Sequence, residues 1–119
     1  VGKVRGGRIS QKIIVRIFSI RVHTGMKGGF VYIVTNKYNT TLYTGATSDL
    51  KERVYDHKTG TGSHFTSKYK LNKLVWFDDF PTIEEAIHRE KQIKKWKREW
   101  KMKMITAFNP DFRDLYDDI

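Results

Sequence analysis

Phe30-Val31-Tyr32-Ile33-Val34 is an unbroken β-branched and aromatic run set directly after Gly28-Gly29. Residues of these types favour a pleated, half-buried surface, so the run reads as a strand. A strand needs partners, and the sequence offers two. Thr41 to Gly45 follows the turn chemistry of Asn36-Lys37-Tyr38-Asn39-Thr40 and makes an antiparallel hairpin with the first run. Lys73 to Phe80 is a third strand. Asp49 with Glu52, and Thr82 with Glu85, stand at capping-box spacing. They open one helix from about Asp49 to Lys58 and a second helical region from Thr82 to about Ala107, broken near Lys94–Lys95 and ended by Asn109-Pro110. Residues 59–70 read as a polar, glycine-bearing loop, and Asp111 to Ile119 as a packed tail or a short helical turn. The order β-β-α-β-α-α predicts an α+β fold, a small three-stranded antiparallel sheet flanked by helices.

The chain has 119 residues, enough for one core. It has no stretch approaching the ~20 uncharged apolar residues of a spanning helix. It has no cysteine. That excludes disulfides, a Cys-ligated zinc and a thiol nucleophile, and it suits a reducing, cytoplasmic setting. The formal net charge of +10 points to a polyanion, nucleic acid or anionic membrane. Part of that charge sits in residues 1–25, which hold Lys3, Arg5, Arg8, Lys12, Arg16 and Arg21 and no acid. The segment reads as a non-native or disordered basic leader, with Met26 as the natural start and residues 26–119 as a single domain. On that reading the polyanion argument rests on local clusters of charge.

Three polar residues occupy positions where periodicity predicts apolar ones. In the first helix Leu50 and Val54 are the apolar anchors, and Arg53 and His57 fall on the same face. In the second, Ile83, Ala86 and Ile87 define the buried stripe, and position 90, which completes it, is Glu90. Burying an unpaired charge is expensive, so such groups are paired, metal-bound or catalytic. The plain alternative is an Arg53–Glu90 salt bridge. Tyr32 and Tyr43 add two phenols that a paired hairpin brings onto one face.

These residues resemble the GIY-YIG nucleases. The first family motif appears as Val31-Tyr32-Ile33 and the second as Tyr43-Thr44-Gly45. The helix with an arginine, and a histidine four residues on, appears as Leu50 to Lys58, and the metal-binding glutamate as Glu90. The resemblance spans residues 29 to about 115 and is closest to the small stand-alone bacterial members. It departs in lacking the leading glycine-isoleucine pair, in having Thr44 for isoleucine, and in having Met102 where several relatives carry an active-site asparagine.

The resemblance implies a metal-dependent endonuclease hydrolysing DNA phosphodiester bonds, in a repair or recombination setting. Glu90 would hold one divalent cation, Mg²⁺ with Mn²⁺ as a substitute. Arg53 would pair with the scissile phosphate. Tyr32 or Tyr43 would orient or deprotonate the attacking water, with the cation and Arg53 lowering the phenol's pKa, and His57 would relay the proton onward. Lys58, Lys68, Lys70, Lys94, Lys95, Lys97 and Lys101 are the expected phosphate-tracking residues. Trp96 and Trp100 share a stripe with Ile93 and Met104 and read as core. DNA is the expected partner, with RNA open, no membrane and a monomeric chain. The alternatives are a non-catalytic nucleic-acid-binding module on the same fold, and a membrane-surface protein using the basic first segment.

Overall fold

β1 (Gly29–Thr35) is the central strand, and all its residues are buried. The computed structural model describes residues 28–119, so the leader expected at 1–25 lies outside the described residues. β2 (Leu42–Thr47) and β3 (Lys73–Phe80) flank β1, both antiparallel to it, in the order β2-β1-β3. The sheet is thus the three-stranded antiparallel one expected, and the fold is α+β.

The alternation of β1 divides the core. Phe30, Tyr32 and Val34 point to one face, where they meet Leu50 and Val54 of α1 (Leu50–Thr59) and Leu115 of the tail. Val31 and Ile33 point to the other, where they meet Ala86 and Ile93 of α3 (Ile83–Lys94) and Ile105 of α4 (Arg98–Phe108). Each large apolar side chain fully buried this way contributes about 1.5–3 kcal/mol. In β3 a bulge opposite Ile33/Val34 leaves Val75 without a partner in the β1 register. Val75 and Trp76 therefore both join the second face, between Leu74 and Phe77 on the first.

The helix signals fall where the caps placed them. Asp49 Oδ1 accepts the Glu52 N–H at 3.1 Å, and Thr82 Oγ1 accepts the Glu85 N–H at 3.2 Å. The break near Lys94–Lys95 separates α3 from α4. Three expectations are corrected. Residues 59–70 are not all loop: His64–Lys68 form a short helix, α2, whose N-cap Ser63 accepts the Thr66 N–H at 3.1 Å. Five residues are too few for periodicity to register. Trp100 is 52% exposed, although Trp96 does pack partly on the core. Ile87, placed on the buried stripe, is also exposed.

The last residues strap the outer edge of β3. Leu74 N donates to Asp114 Oδ1 at 3.2 Å and Leu115 N to the Leu74 carbonyl at 2.8 Å. A 3-10 turn follows at Tyr116–Asp118. Backbone groups on that edge are thereby paired rather than left as a template for other strands.

Candidate active site

The strand register positions the two tyrosines. Tyr32 lies opposite Gly45, and Val34 opposite Tyr43. Both phenols therefore leave the same face as diagonal neighbours, with ring centroids 6.5 Å apart. The Tyr32 ring lies across Gly45, so closely that a Cβ there would collide with its hydroxyl and ring carbons. Glycine at this position is a condition of the phenol's placement.

Helix α1 brings His57 to the phenol. Because Asp49 fixes where the helix begins, Leu50, Val54 and His57 face inward together. His57 is buried, its Nε2 2.8 Å from the Tyr32 hydroxyl. Its Nδ1 lies 3.0 Å from Thr66 Oγ1 of α2. The Thr66 hydroxyl can donate to the Ser63 carbonyl at 3.3 Å, which leaves its oxygen free to accept from Nδ1–H. In that arrangement Nε2 keeps its lone pair and accepts from Tyr32. Gly62 stands against the imidazole, where any Cβ would strike the ring.

Burial dominates the electrostatics of this pair. It pushes the Tyr32 phenol up to about 12, against the pull of the nearby Arg53 guanidinium. Tyr43 and Glu90 add to the upward push. Burial, with help from Arg53, pushes His57 down to about 4. Both groups are therefore neutral near pH 7. The expectation that a cation and Arg53 lower the phenol's pKa is not met by the protein alone.

Arg53 and Glu90 do not pair with each other among the described residues. Arg53 Nη1 lies 3.9 Å from Asp56 Oδ2, a long contact, and its side chain is 36% exposed. Glu90 lies on the buried stripe between Ala86 and Ile93, its side chain 15% exposed, and Lys94 Nζ sits 3.1 Å from its Oε2. The Lys94 ammonium is also 5.8 Å from the Tyr43 ring centroid. Glu90, Arg53 and the two phenols thus lie within electrostatic reach of one another.

No group of three or more His, Asp or Glu among the described residues could cage a metal ion. Glu90 is a single, mostly buried carboxylate already facing an ammonium. That donor set fits a magnesium ion whose remaining ligands are water and substrate phosphate, and does not fit a resident ion held by protein alone.

The expected phosphate-tracking lysines divide. Lys58 Nζ is held by Asp114, the Asn72 carbonyl and the Tyr116 ring. Lys68, Lys70, Lys95 and Lys97 are exposed. Lys101 is partly buried, and its ammonium is pushed below the ordinary range first by that burial and then by Lys94 and Arg98. The three cations Lys94, Arg98 and Lys101 therefore crowd together, and Arg98 also donates to the Asn39 carbonyl at 3.0 Å. Arg98 belongs to the cationic helix expected to bind substrate, but nothing in the sequence marks its approach to the hairpin. Gly45 stands in the second family motif, but its place under the Tyr32 ring, like those of Thr66 and Gly62 against His57, arises from contacts between separate elements and leaves no local signal. Asn109, the nearest asparagine after Met102, is buried, its amide donating to the Val75 and Arg113 carbonyls. It holds the tail and offers nothing to the tyrosines.

Comparison with known proteins bears on this geometry. The family model of the GIY-YIG catalytic domain matches residues 28–104. A UPF0213 protein of Staphylococcus saprophyticus is 36% identical over 77 residues, covering 65% of this chain and 93% of that protein. One of Haloquadratum walsbyi is 39% identical over 75 residues, covering 63% and 83%. The solution NMR structure of a UPF0213 protein from Bacillus halodurans has 29% identity and a TM-score of 0.47, covering 73% of this chain and 92% of that one.

Proposed function

The chain belongs to the GIY-YIG family, a nuclease-type family whose substrate is nucleic acid, and on that premise we propose that it is a divalent-metal-dependent endonuclease hydrolysing DNA phosphodiester bonds. The observation that carries the reading is the buried Tyr32–His57 hydrogen bond of 2.8 Å beside the charges of Arg53 and Glu90. A structural hydrogen bond does not require a cation and a carboxylate next to it, whereas phosphodiester hydrolysis requires a water activator, a phosphoryl clamp and a cation site together.

In this reading Arg53 pairs with the non-bridging oxygens of the scissile phosphate through its planar fork. Tyr32 takes the proton of the attacking water as its own proton passes to His57 Nε2. The neutral His57 is competent to accept it, and the Nδ1 contact with Thr66 keeps the ring in the required tautomer. Because the phenol sits near 12 in the free protein, the two transfers are coupled rather than sequential. Tyr43 orients the water from the second strand. A divalent cation on Glu90, Mg²⁺ or Mn²⁺, would supply Lewis-acid stabilisation of the phosphoryl oxygens. Lys94, Arg98 and Lys101 hold the flanking phosphates, with Lys68, Lys70, Lys95 and Lys97 around them. Residues 26–119 form the working unit of this proposal, and a chain without cysteine suits the cytoplasm. Among the described residues no helix is long and apolar enough to cross a membrane.

One observation favours the second reading, a non-catalytic binding module. Met102 stands where the family resemblance implies an active-site asparagine, and Asn109 is committed to the tail. Purified protein on supercoiled plasmid, with Mg²⁺ or Mn²⁺ against EDTA, separates the two. Metal-dependent nicking that disappears in Glu90→Gln supports the nuclease. Tight binding with no nicking in either protein supports the module.

A further inference from the structure

The rings at this site do not stop at the tyrosines. Tyr43 lies 6.2 Å from Phe65 of α2, and Phe65 lies 4.8 Å from Tyr69, centroid to centroid. The strip runs from the fully buried Tyr32 outward through half-buried Tyr43 to two rings in solvent. Phe65 is 43% exposed and Tyr69 44%. Tyr38, Tyr55 and Ile87 are exposed without such a neighbour, and Trp100 leans on half-buried Trp96, so the Phe65–Tyr69 pair is the one place among the described residues where two exposed rings touch.

Core packing does not account for the pair. Thr66 is the only buried residue of α2, and it is the residue that anchors the helix to His57 Nδ1. Phe65 and Tyr69 stand four residues apart, on one face of a turn bolted to the imidazole. Their surroundings are cationic. No acidic residue occurs between Asp56 and Asp78, while Lys68 lies 5.4 Å from the Tyr69 ring centroid and Lys70 follows directly. An apolar pair in a cationic frame, at a fixed distance from a phosphodiester site, has the combination that binds a nucleotide: rings for the base and ammonium groups for its phosphates.

We propose that Phe65 and Tyr69 form a stacking platform for an unpaired nucleobase next to the scissile phosphate, which makes single-stranded or locally unpaired nucleic acid the preferred substrate. A base inside a duplex already has both faces covered and can offer one to the platform only after unstacking. The proposal rests on the nucleic-acid reading of the neighbouring site and does not require that the site cut.

The test uses the full chain carrying Glu90→Gln, in EDTA, titrated with an oligonucleotide containing the fluorescent base 2-aminopurine, as a single strand and as a duplex of equal length. The expected result is quenching on binding the single strand, little quenching with the duplex, and tighter binding of the single strand. Tyr69→Leu, which keeps apolar area but removes the aromatic face, should lose most of the quenching and weaken single-strand binding roughly tenfold, the cost of a lost base–aromatic stack. Tyr69→Phe should behave like the parent. Phe65→Leu repeats the test at the inner ring, and melting curves identify any variant that has merely unfolded. Binding with quenching unchanged in folded Tyr69→Leu and Phe65→Leu would overturn the platform and leave the nuclease reading intact. Equal quenching by duplex and single strand would overturn the preference for unpaired bases. No binding to either oligonucleotide would overturn both readings, and self-association abolished by Tyr69→Leu would reassign the pair to a contact between copies of the chain.

Discussion

The Tyr32 hydroxyl lies 2.8 Å from His57 Nε2, and burial displaces the two groups in opposite directions, the phenol up to about 12 and the imidazole down to about 4. Each is therefore held neutral against its partner. The proton is fixed on the phenol in the free protein and moves only when charge enters the site. Tyr32→Phe removes the oxygen and leaves Nε2 unpaired. Losing that buried bond should cost about 1–3 kcal/mol. Nicking should fall by about two to four orders of magnitude, the range of a lost general acid–base group, with DNA affinity retained. Plasmid nicking and gel-shift measurements on the same preparation check this. Near-normal nicking would remove Tyr32 from the proposed chemistry.

The folded value of His57, about 4, lies below the 6.5 of an unfolded chain. Between those values the unfolded chain binds the extra proton, so stability rises with pH across the window. The contribution is complete above about pH 6.5 and is lost progressively as pH falls toward about 4, for a total of about 3 kcal/mol. Melting temperatures of the parent and of His57→Asn, compared from about pH 7 to about pH 4, should show a shallower acid loss in the variant. Parallel curves would mean that the imidazole is not held neutral by the fold.

Arg53→Lys keeps a charge and removes the planar fork. Arg53 is partly exposed and its contact with Asp56 is long, so the melting temperature should change little. Turnover should fall by about two or three orders of magnitude, the usual cost of a lost preorganised charge stabiliser. A lowered melting temperature with normal turnover would return Arg53 to a structural role.

Gly45→Ala places a methyl group where the Tyr32 phenol now lies. The ring is fully buried between sheet and helix and has no room to retreat. The variant should lose about 1–3 kcal/mol through overpacking. In the folded fraction Tyr32 should be drawn away from His57, with loss of nicking. Chemical denaturation and nicking assays read both effects.

Replacing Lys94, Arg98 and Lys101 together with Gln should weaken binding to every DNA sequence alike. The slope of log affinity against log salt should flatten by up to about three, close to one released counterion for each lost phosphate contact. Lys58→Gln should leave the slope unchanged, since its ammonium already serves Asp114 and the Asn72 carbonyl. A slope unaffected by the triple change would place the nucleic acid on another surface.

Local chemistry by itself determined much of this protein. The β-branched runs gave three strands, Asp49 and Thr82 gave the starts of α1 and α3, and the 3.6-residue period put His57 and Glu90 on buried stripes. Each of those signals is written within about one turn or one strand of chain, where steric preference and capping act. The family resemblance implied that Tyr32, Tyr43, Arg53, His57 and Glu90 share one site, and in the fold the two phenols and His57 lie against one another with Arg53 and Glu90 within electrostatic reach of Tyr32. Only the tertiary structure decided the partners. Arg53 and Glu90 do not meet but keep partners on their own helices, Lys58 is drawn to a tail residue far along the chain, and Thr66 reaches His57 from a helix too short to leave a periodic trace. Tertiary structure also set the titration of Tyr32 and His57, because desolvation depends on what packs around a group and not on its neighbours in sequence.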